Sequence, residues 1–140
     1  MSYETLSYEV SDGVGRITLD RPDSFNAMSC QMAKDLMDTS ILMDEDPNVR
    51  AVLITGKGKA FCAGGDLVSF SKLGDELPGF VKEMTVYLRA AVSRLNRMDA
   101  PVIAAVNGVA AGAGMSLVCA TDLAIGSESS AYTMAYTLAG

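Results

Sequence analysis

Residues 102–117 read Val-Ile-Ala-Ala-Val-Asn-Gly-Val-Ala-Ala-Gly-Ala-Gly-Met-Ser-Leu, and their reading decides the fold. Val102–Val106 is a wholly apolar run, which suits a strand covered on both faces, as parallel strands usually are. Asn107-Gly108 then turns the chain into a small-residue segment, 109–120, that opens a helix. Upstream the same grammar occurs once more. Val49-Arg50-Ala51-Val52-Leu53-Ile54 is a nearly continuous apolar run ending at Gly56, and a glycine-rich loop, 56–66, follows it. Between the two units, Phe80, Met84, Tyr87, Ala91, Leu95 and Met98 recur at spacings of three and four, which predicts a long amphipathic helix ended by Pro101. Strand, helix and strand in alternation define an α/β protein.

Working outward, Leu6–Val10 and Gly15–Leu19 flank Ser11-Asp12-Gly13 and predict a hairpin. Ser29 is a candidate N-cap, and Met32, Leu36 and Ser40, with Ala33, Met37 and Ile41 alongside, predict one helical stripe ending near Asp44. Leu123-Ala124-Ile125 predicts a third short strand. Thr137-Leu138-Ala139-Gly140 falls where a strand and turn lead onward. The expectation is therefore that residues 1–140 are the N-terminal part of a single domain, cut before a further region.

Composition closes off several function classes. The 140 residues suffice for one domain with a modest core. Eleven Lys and Arg against 17 Asp and Glu give a net charge of −6, so no basic footprint for nucleic acid exists. No apolar run approaches the roughly 20 residues that span a bilayer. The opening MSYETLSYEV lacks the basic start and apolar stretch of a signal peptide, and a cytoplasmic protein is expected. Cys30, Cys62 and Cys119 are scattered and odd in number, which argues for small buried residues rather than a disulfide framework. With no histidine, the commonest metal ligand and any Ser-His or Cys-His pair are missing. No metal is expected.

Chemistry concentrates in two loops, Lys59-Ala60-Phe61-Cys62-Ala63-Gly64-Gly65-Asp66-Leu67 and Asn107–Leu117. Side chains this small let a ligand reach the main chain. The second loop also starts a helix, whose first amides are unpaired and carry partial positive charge. Two amides from separate loops can grip one developing oxyanion. The competing explanation is that the glycines only allow close strand-helix packing. Neither loop has the GxGxxG of a dinucleotide site or the GK[ST] of a P-loop. Asp66 is expected to cap the segment after it and Asp122 to fix a turn. Lys57, Lys59 and Lys72 are the cations available to phosphates.

Four motifs in order carry a family resemblance: Ile17-Thr18-Leu19-Asp20-Arg21-Pro22 with Asn26-Ala27, AFCAGGDL at 60–67, Ala100–Gly108, and Thr121-Asp122-Leu123-Ala124. Together they resemble the crotonase (enoyl-CoA hydratase/isomerase) superfamily over essentially the whole chain. The resemblance implies the crotonase-like ββα spiral, also known as the ClpP/crotonase fold, truncated here before its C-terminal helical region. It implies an enzyme whose substrate is an acyl-CoA thioester. Coenzyme A is then part of the substrate, no separate cofactor is needed, and the full-length protein forms a homotrimer or a dimer of trimers. Carried over by position, the oxyanion amides are those of Gly65 and Ala113. Ser24, Phe25 and Asn26, with the backbone of Ala63, Gly64, Gly65, Asp66 and Leu67, meet the CoA portion. Ala113 replaces a more familiar glycine, which leaves the amide intact provided that φ is negative there.

The departures matter as much. Hydratases of this family use two glutamates, one a helical turn after the second oxyanion amide and one 20 residues later. Those positions here hold Ser116 and Tyr136, and an unassisted hydroxyl is a poor base near neutrality. The combination resembles the branch of epoxyphenylacetyl-CoA isomerase and chlorobenzoyl-CoA dehalogenase, which has an aromatic at the position of Tyr136. Its catalytic aspartate lies a few residues beyond the position of Gly140. Ser116 and Tyr136 are accordingly expected to line the pocket. The expected activity is double-bond isomerisation through a thioester enolate rather than hydration. The alternative is a non-catalytic acyl-CoA-binding or assembly fragment.

Overall fold

A computed structural model describes residues 3–139. β1 (Leu6–Ser11) and β2 (Val14–Leu19) form the expected hairpin, with Leu6 opposite Leu19 and Ser11 opposite Val14. Its turn is Asp12-Gly13, both at positive φ (53° and 81°), the geometry that two-residue hairpins favour and that aspartate and glycine tolerate. β2 then runs parallel to β3 (Ala51–Gly56), β3 to β5 (Val102–Val106), and β5 to β7 (Leu123–Gly126). The sheet order is β1-β2-β3-β5-β7. A second, smaller sheet is wholly parallel: β4 (Ala60–Cys62), β6 (Val109–Ala111) and β8 (Ala131–Thr133).

α1 (Cys30–Glu45) starts where Ser29 accepts a hydrogen bond from Met32 N at 3.1 Å. It packs on α3 (Leu77–Leu95), whose buried residues are Met84, Ala91 and Leu95. The buried face of α1 runs through Met32, Ala33, Leu36, Thr39, Ser40 and Met43. Ile41, expected in that stripe, is instead exposed, because it lies about 100° around the helix from Ser40, outside the fully buried face. Met32, Leu36, Ile54, Phe61, Leu95 and Leu117 belong to one hydrophobic core.

Three expectations need correction. β3 and β5 are not covered evenly on both faces: Val52, Ile54, Val102, Ala104 and Val106 are buried, while the alternate residues are only half-buried. Successive side chains point to opposite faces, and only one face is fully packed. Asp122 does more than fix a turn. Its Oδ2 accepts from Val102 N at 2.7 Å and its own N–H donates to Val102 O at 2.9 Å, locking the start of β5 to the start of β7. Finally, Tyr136–Ala139 is one turn of helix, α5, rather than strand and turn, and Gly140 lies outside the described residues. A short helical turn, α2 (Leu67–Phe70), a seven-residue helix, α4 (Ala113–Cys119), and two 3₁₀ turns, Pro22–Ser24 and Gly74–Glu76, complete the inventory. Among the described residues no helix is long and apolar enough to cross a membrane.

Candidate functional site

The small sheet builds the site. β4, β6 and β8 lie side by side and parallel, so their C-terminal ends deliver three loops to one place, the end at which parallel α/β sheets present ligands. Gly64 (φ 105°) and Gly65 follow β4, and Gly112 (φ 48°) and Ala113 follow β6. Met134-Ala135-Tyr136 follows β8. The first two loops touch: a Cβ on Gly64 would lie 3.2 Å from Ala111 O, and one on Gly112 would lie 3.6 Å from Gly64 Cα. A Cβ on Gly114 would strike the carbonyl of Cys62. Close packing, the competing explanation for these glycines, is therefore part of what they do.

Among the described residues the same loops also leave main-chain N–H groups without acceptors. Cys62 and Ala110 are paired across β4 and β6, and Gly65 and Ala113 each stand three residues further along. Among the described residues neither Gly65 N nor Ala113 N has an acceptor, and the same is true of Gly64 N and Gly114 N beside them, whereas the amides that flank these pairs are engaged. Ala63 N donates to Phe25 O (3.1 Å), Asp66 N to Met28 O (3.1 Å), and Gly112 N to Thr133 O (3.0 Å). Ala113 is not at positive φ, which is the condition set for the expected amide role; the residue at positive φ is Gly112 before it. Because α4 has only seven residues, any polarising power rests on the two N–H groups themselves more than on a summed helix dipole.

A polar clamp holds the Gly65 side. Met28 N donates to Gly64 O at 2.6 Å, so residues 25–28 lie along the loop like an extra strand. Asn26 has no exposed surface and occupies the left-handed region (φ 54°), which asparagine tolerates better than most residues. Its Oδ1 accepts from Arg21 N at 2.8 Å, and its Nδ2 donates to Lys57 O at 3.0 Å and Ala60 O at 2.8 Å. The expectation that Asn26 meets CoA is corrected to this extent: its side chain is consumed in holding the backbone. Ser24 closes a short 3₁₀ turn, and Phe25, beside it, is exposed with φ 51°.

Arg21 was not singled out for any role, yet it ties the clamp together. It reaches Asp66 at 2.8 Å and donates to Ala27 O. Asp66 also caps α2, its Oδ1 accepting from Ser69 N at 3.1 Å. Burial alone would raise the Asp66 carboxyl; the hydrogen bonds from Arg21 and Ser69 overcome that and hold it below the usual carboxylate range. Its side chain is thus committed within the protein, and so is its main chain, with the N–H donating to Met28 O and the carbonyl accepting from Phe70 N. Leu67, at the head of α2, is exposed. On the outer side of the clamp, Arg21, Ser29, Cys30, Asp66, Ser69 and Phe80 help line a separate cleft of about 480 Å³. Lys57 is paired with Asp20 at 2.7 Å, whereas Lys59 and Lys72 are exposed and have no ion pair among the described residues.

The third loop brings the two substituted positions together. Ser116 Oγ and Tyr136 Oη are 2.8 Å apart, and a Cβ on Gly112 would lie 3.8 Å from the Tyr136 ring. Tyr136 keeps 52% of its surface exposed. Close by, Cys62 is buried and its thiol is pushed up to about 11 by desolvation, which makes it a packing residue and not a nucleophile. Cys119, expected to be buried, is exposed, and Cys30 is half-buried.

The architecture is the crotonase-type spiral, and a solved enoyl-CoA hydratase from Mycobacterium smegmatis shows it closely. That structure superimposes with a TM-score of 0.90 at 32% identity, covering 99% of this chain and 53% of the other. Residues 9–140 match the enoyl-CoA hydratase/isomerase family, and the chain belongs to it. It is 41% identical over its full length to a probable enoyl-CoA hydratase of Rhodobacter capsulatus, covering 52% of that protein. It is 34% identical to the 1,2-epoxyphenylacetyl-CoA isomerase of Escherichia coli, over 98% of this chain and 53% of that protein. A 4-chlorobenzoyl coenzyme A dehalogenase-2 of an Arthrobacter species is 31% identical over 96% of this chain and 49% of the other. The chain spans about half the length of these relatives.

Proposed function

We propose that this chain supplies the thioester-polarising half of an acyl-CoA enzyme that moves a double bond or proton, and that it favours isomerisation over hydration. The observation that carries the reading is the pair of acceptor-free amides, Gly65 N and Ala113 N, at the same offset on adjacent parallel strands. Two N–H groups on one carbonyl oxygen stabilise the enolate that forms when an α-proton leaves. One such donor is worth about 3–4 kcal/mol of barrier. The main chain from Ala63 to Leu67, with Ser24 and Phe25, holds the CoA portion, so coenzyme A enters only as part of the substrate. Hydration needs a carboxylate to activate water, and Ser116 and Tyr136 bring none. The proton is shuttled by a carboxylate outside this chain, and the enzyme works as a homotrimer or dimer of trimers in the cytoplasm.

Assays with 2-enoyl- and 3-enoyl-CoA test this reading. Conversion of the 3-enoyl to the 2-enoyl thioester without accumulation of 3-hydroxyacyl-CoA is expected. Rapid water addition with no isomerisation would establish a hydratase instead. The second reading, a non-catalytic acyl-CoA-binding module, is favoured because among the described residues the Ser116–Tyr136 hydroxyls bond to each other and to no carboxylate. Acyl-CoA binding with no turnover of either substrate would support it.

A further inference from the structure

Asn107 reads in the sequence as half of a turn, but its side chain does more than turn the chain. It stands one residue past β5, half-buried, and its side chain meets the connection between β3 and β4. Its Oδ1 accepts from Gly56 N at 3.0 Å, and its Nδ2 donates to Gly58 O at 3.0 Å and to Ala60 O at 3.3 Å. Gly56 ends β3 and Ala60 opens β4, so one amide ties the exit of β5 to both. Asn26 shares Ala60 O at 2.8 Å, but its other bonds run to Arg21 and Lys57, on the clamp side. The backbones also meet there: a Cβ on Gly108 would strike the carbonyl of Lys59.

This tie falls where the small sheet is irregular. Ala60 pairs with Val109 and Cys62 with Ala110, so β4 advances two residues while β6 advances one. The extra residue gives Gly65 and Ala113 the same offset beyond the Cys62–Ala110 pair. In an even ladder from Ala60 and Val109, Cys62 would face Ala111, and Gly65 would share its offset with Gly114 instead. A slip of one residue is about 3.3 Å, whereas a group that acts on a reacting atom must be held to within about 0.5 Å. Strands of three residues supply too few ladder bonds to enforce an uneven register by themselves.

We infer that Asn107 is a positioning residue, whose side-chain amide holds the uneven β4–β6 register and so gives Gly65 N and Ala113 N their common offset. The inference rests on the proposal that these two amides hold the thioester carbonyl. Without the Nδ2 donor, Ala60 O loses its tie to β5, and the two loops no longer present their N–H groups to one oxygen.

Difference infrared spectroscopy of the purified protein with butyryl-CoA, labelled with ¹³C at the carbonyl, tests it. Asn107→Asp keeps an oxygen for Gly56 N but sets a carboxylate oxygen against Gly58 O and Ala60 O in place of the donor. The carbonyl stretch, lowered on binding to the wild type, is expected to recover about half of that shift in Asn107→Asp and in Asn107→Ala, the effect of misdirecting one of two donors. Asp122→Ala is the control. It removes the acceptor of Val102 N at the opposite end of β5, and should lower the melting temperature while keeping the full carbonyl shift. A full shift in either Asn107 variant overturns the inference and leaves the two amides in place. So does an equal loss of shift in Asp122→Ala, since general loosening would then explain both. No shift in the wild type overturns the reading of Gly65 and Ala113, and this inference with it.

Discussion

The Gly65 loop and the Tyr136 loop lie at the same end of one small sheet, yet they are held in opposite ways. Around Gly65, Asn26, Arg21 and Asp66 spend nearly every polar atom on fixing the main chain, and the residues are buried or nearly so. Around Tyr136, a single hydroxyl contact and the flank of Gly112 do the work, on a strand, β8, whose residues are all exposed. The proposed electrostatic role explains the contrast. A backbone donor acts only if its direction is fixed before the substrate arrives, because reorganisation at the moment of reaction costs barrier height. The fold therefore concentrates its buried hydrogen bonds on the loop whose geometry matters most.

Several substitutions sharpen or break that contrast. The largest expected effect is on turnover, in Ala113→Pro. Position 113 is the first residue of α4, where proline fits a helix and removes an N–H that has no partner within the fold. Turnover should fall about 100- to 1,000-fold, while the urea midpoint barely moves. Retained turnover would show that this amide is not part of the machinery. Next comes Asn26→Ala, which takes from Arg21 N its acceptor and from the carbonyls of Lys57 and Ala60 one donor each, Ala60 O keeping Asn107 Nδ2. A loss of about 3 kcal/mol in urea unfolding is expected, and a loss below about 1 kcal/mol would show that the clamp is dispensable.

Arg21→Ala should cost about 2 kcal/mol, less than a fully buried pair because Arg21 stays partly exposed. Here pH gives a sharper reading than the midpoint at neutrality. Asp66 is held below its ordinary pKa, so its contribution is complete above about pH 4 and is lost as pH falls through the lower, folded value. The stability gap between wild type and Arg21→Ala is therefore expected to narrow on acidification. A constant gap from pH 7 to pH 3 would mean that the ion pair does not set it. Smallest of all is Tyr136→Phe, expected to change stability by less than about 0.5 kcal/mol.

The unequal legibility of the two regions follows from the same physics. Continuous apolar runs, a three-four periodicity and a serine before an amphipathic stripe are local signals, and β3, β5, α1 and α3 were readable from them. The loops around Gly65 and Ala113 were readable because small residues crowd there, and because the surrounding motifs resemble a known family. The three-residue strands β4, β6 and β8 carry too few residues to show a period, so the sheet that assembles the site was not visible. The Arg21–Asp66 pair spans 45 positions, and the contact of Ser116 with Tyr136 spans 20. No local pattern marks such pairings. Asn26 misled for a related reason: a polar residue in a loop suggests a ligand contact, and only the fold shows that backbone surrounds it.

The central claim is that Gly65 N and Ala113 N polarise the thioester carbonyl of a bound acyl-CoA. Difference infrared spectroscopy of an acyl-CoA labelled with ¹³C at the carbonyl reads that polarisation directly. The carbonyl stretch is expected to move to lower wavenumber on binding to the wild type, and to recover most of the way toward its free value in Ala113→Pro. A stretch that does not move on binding, or that moves equally in both proteins, would contradict the account.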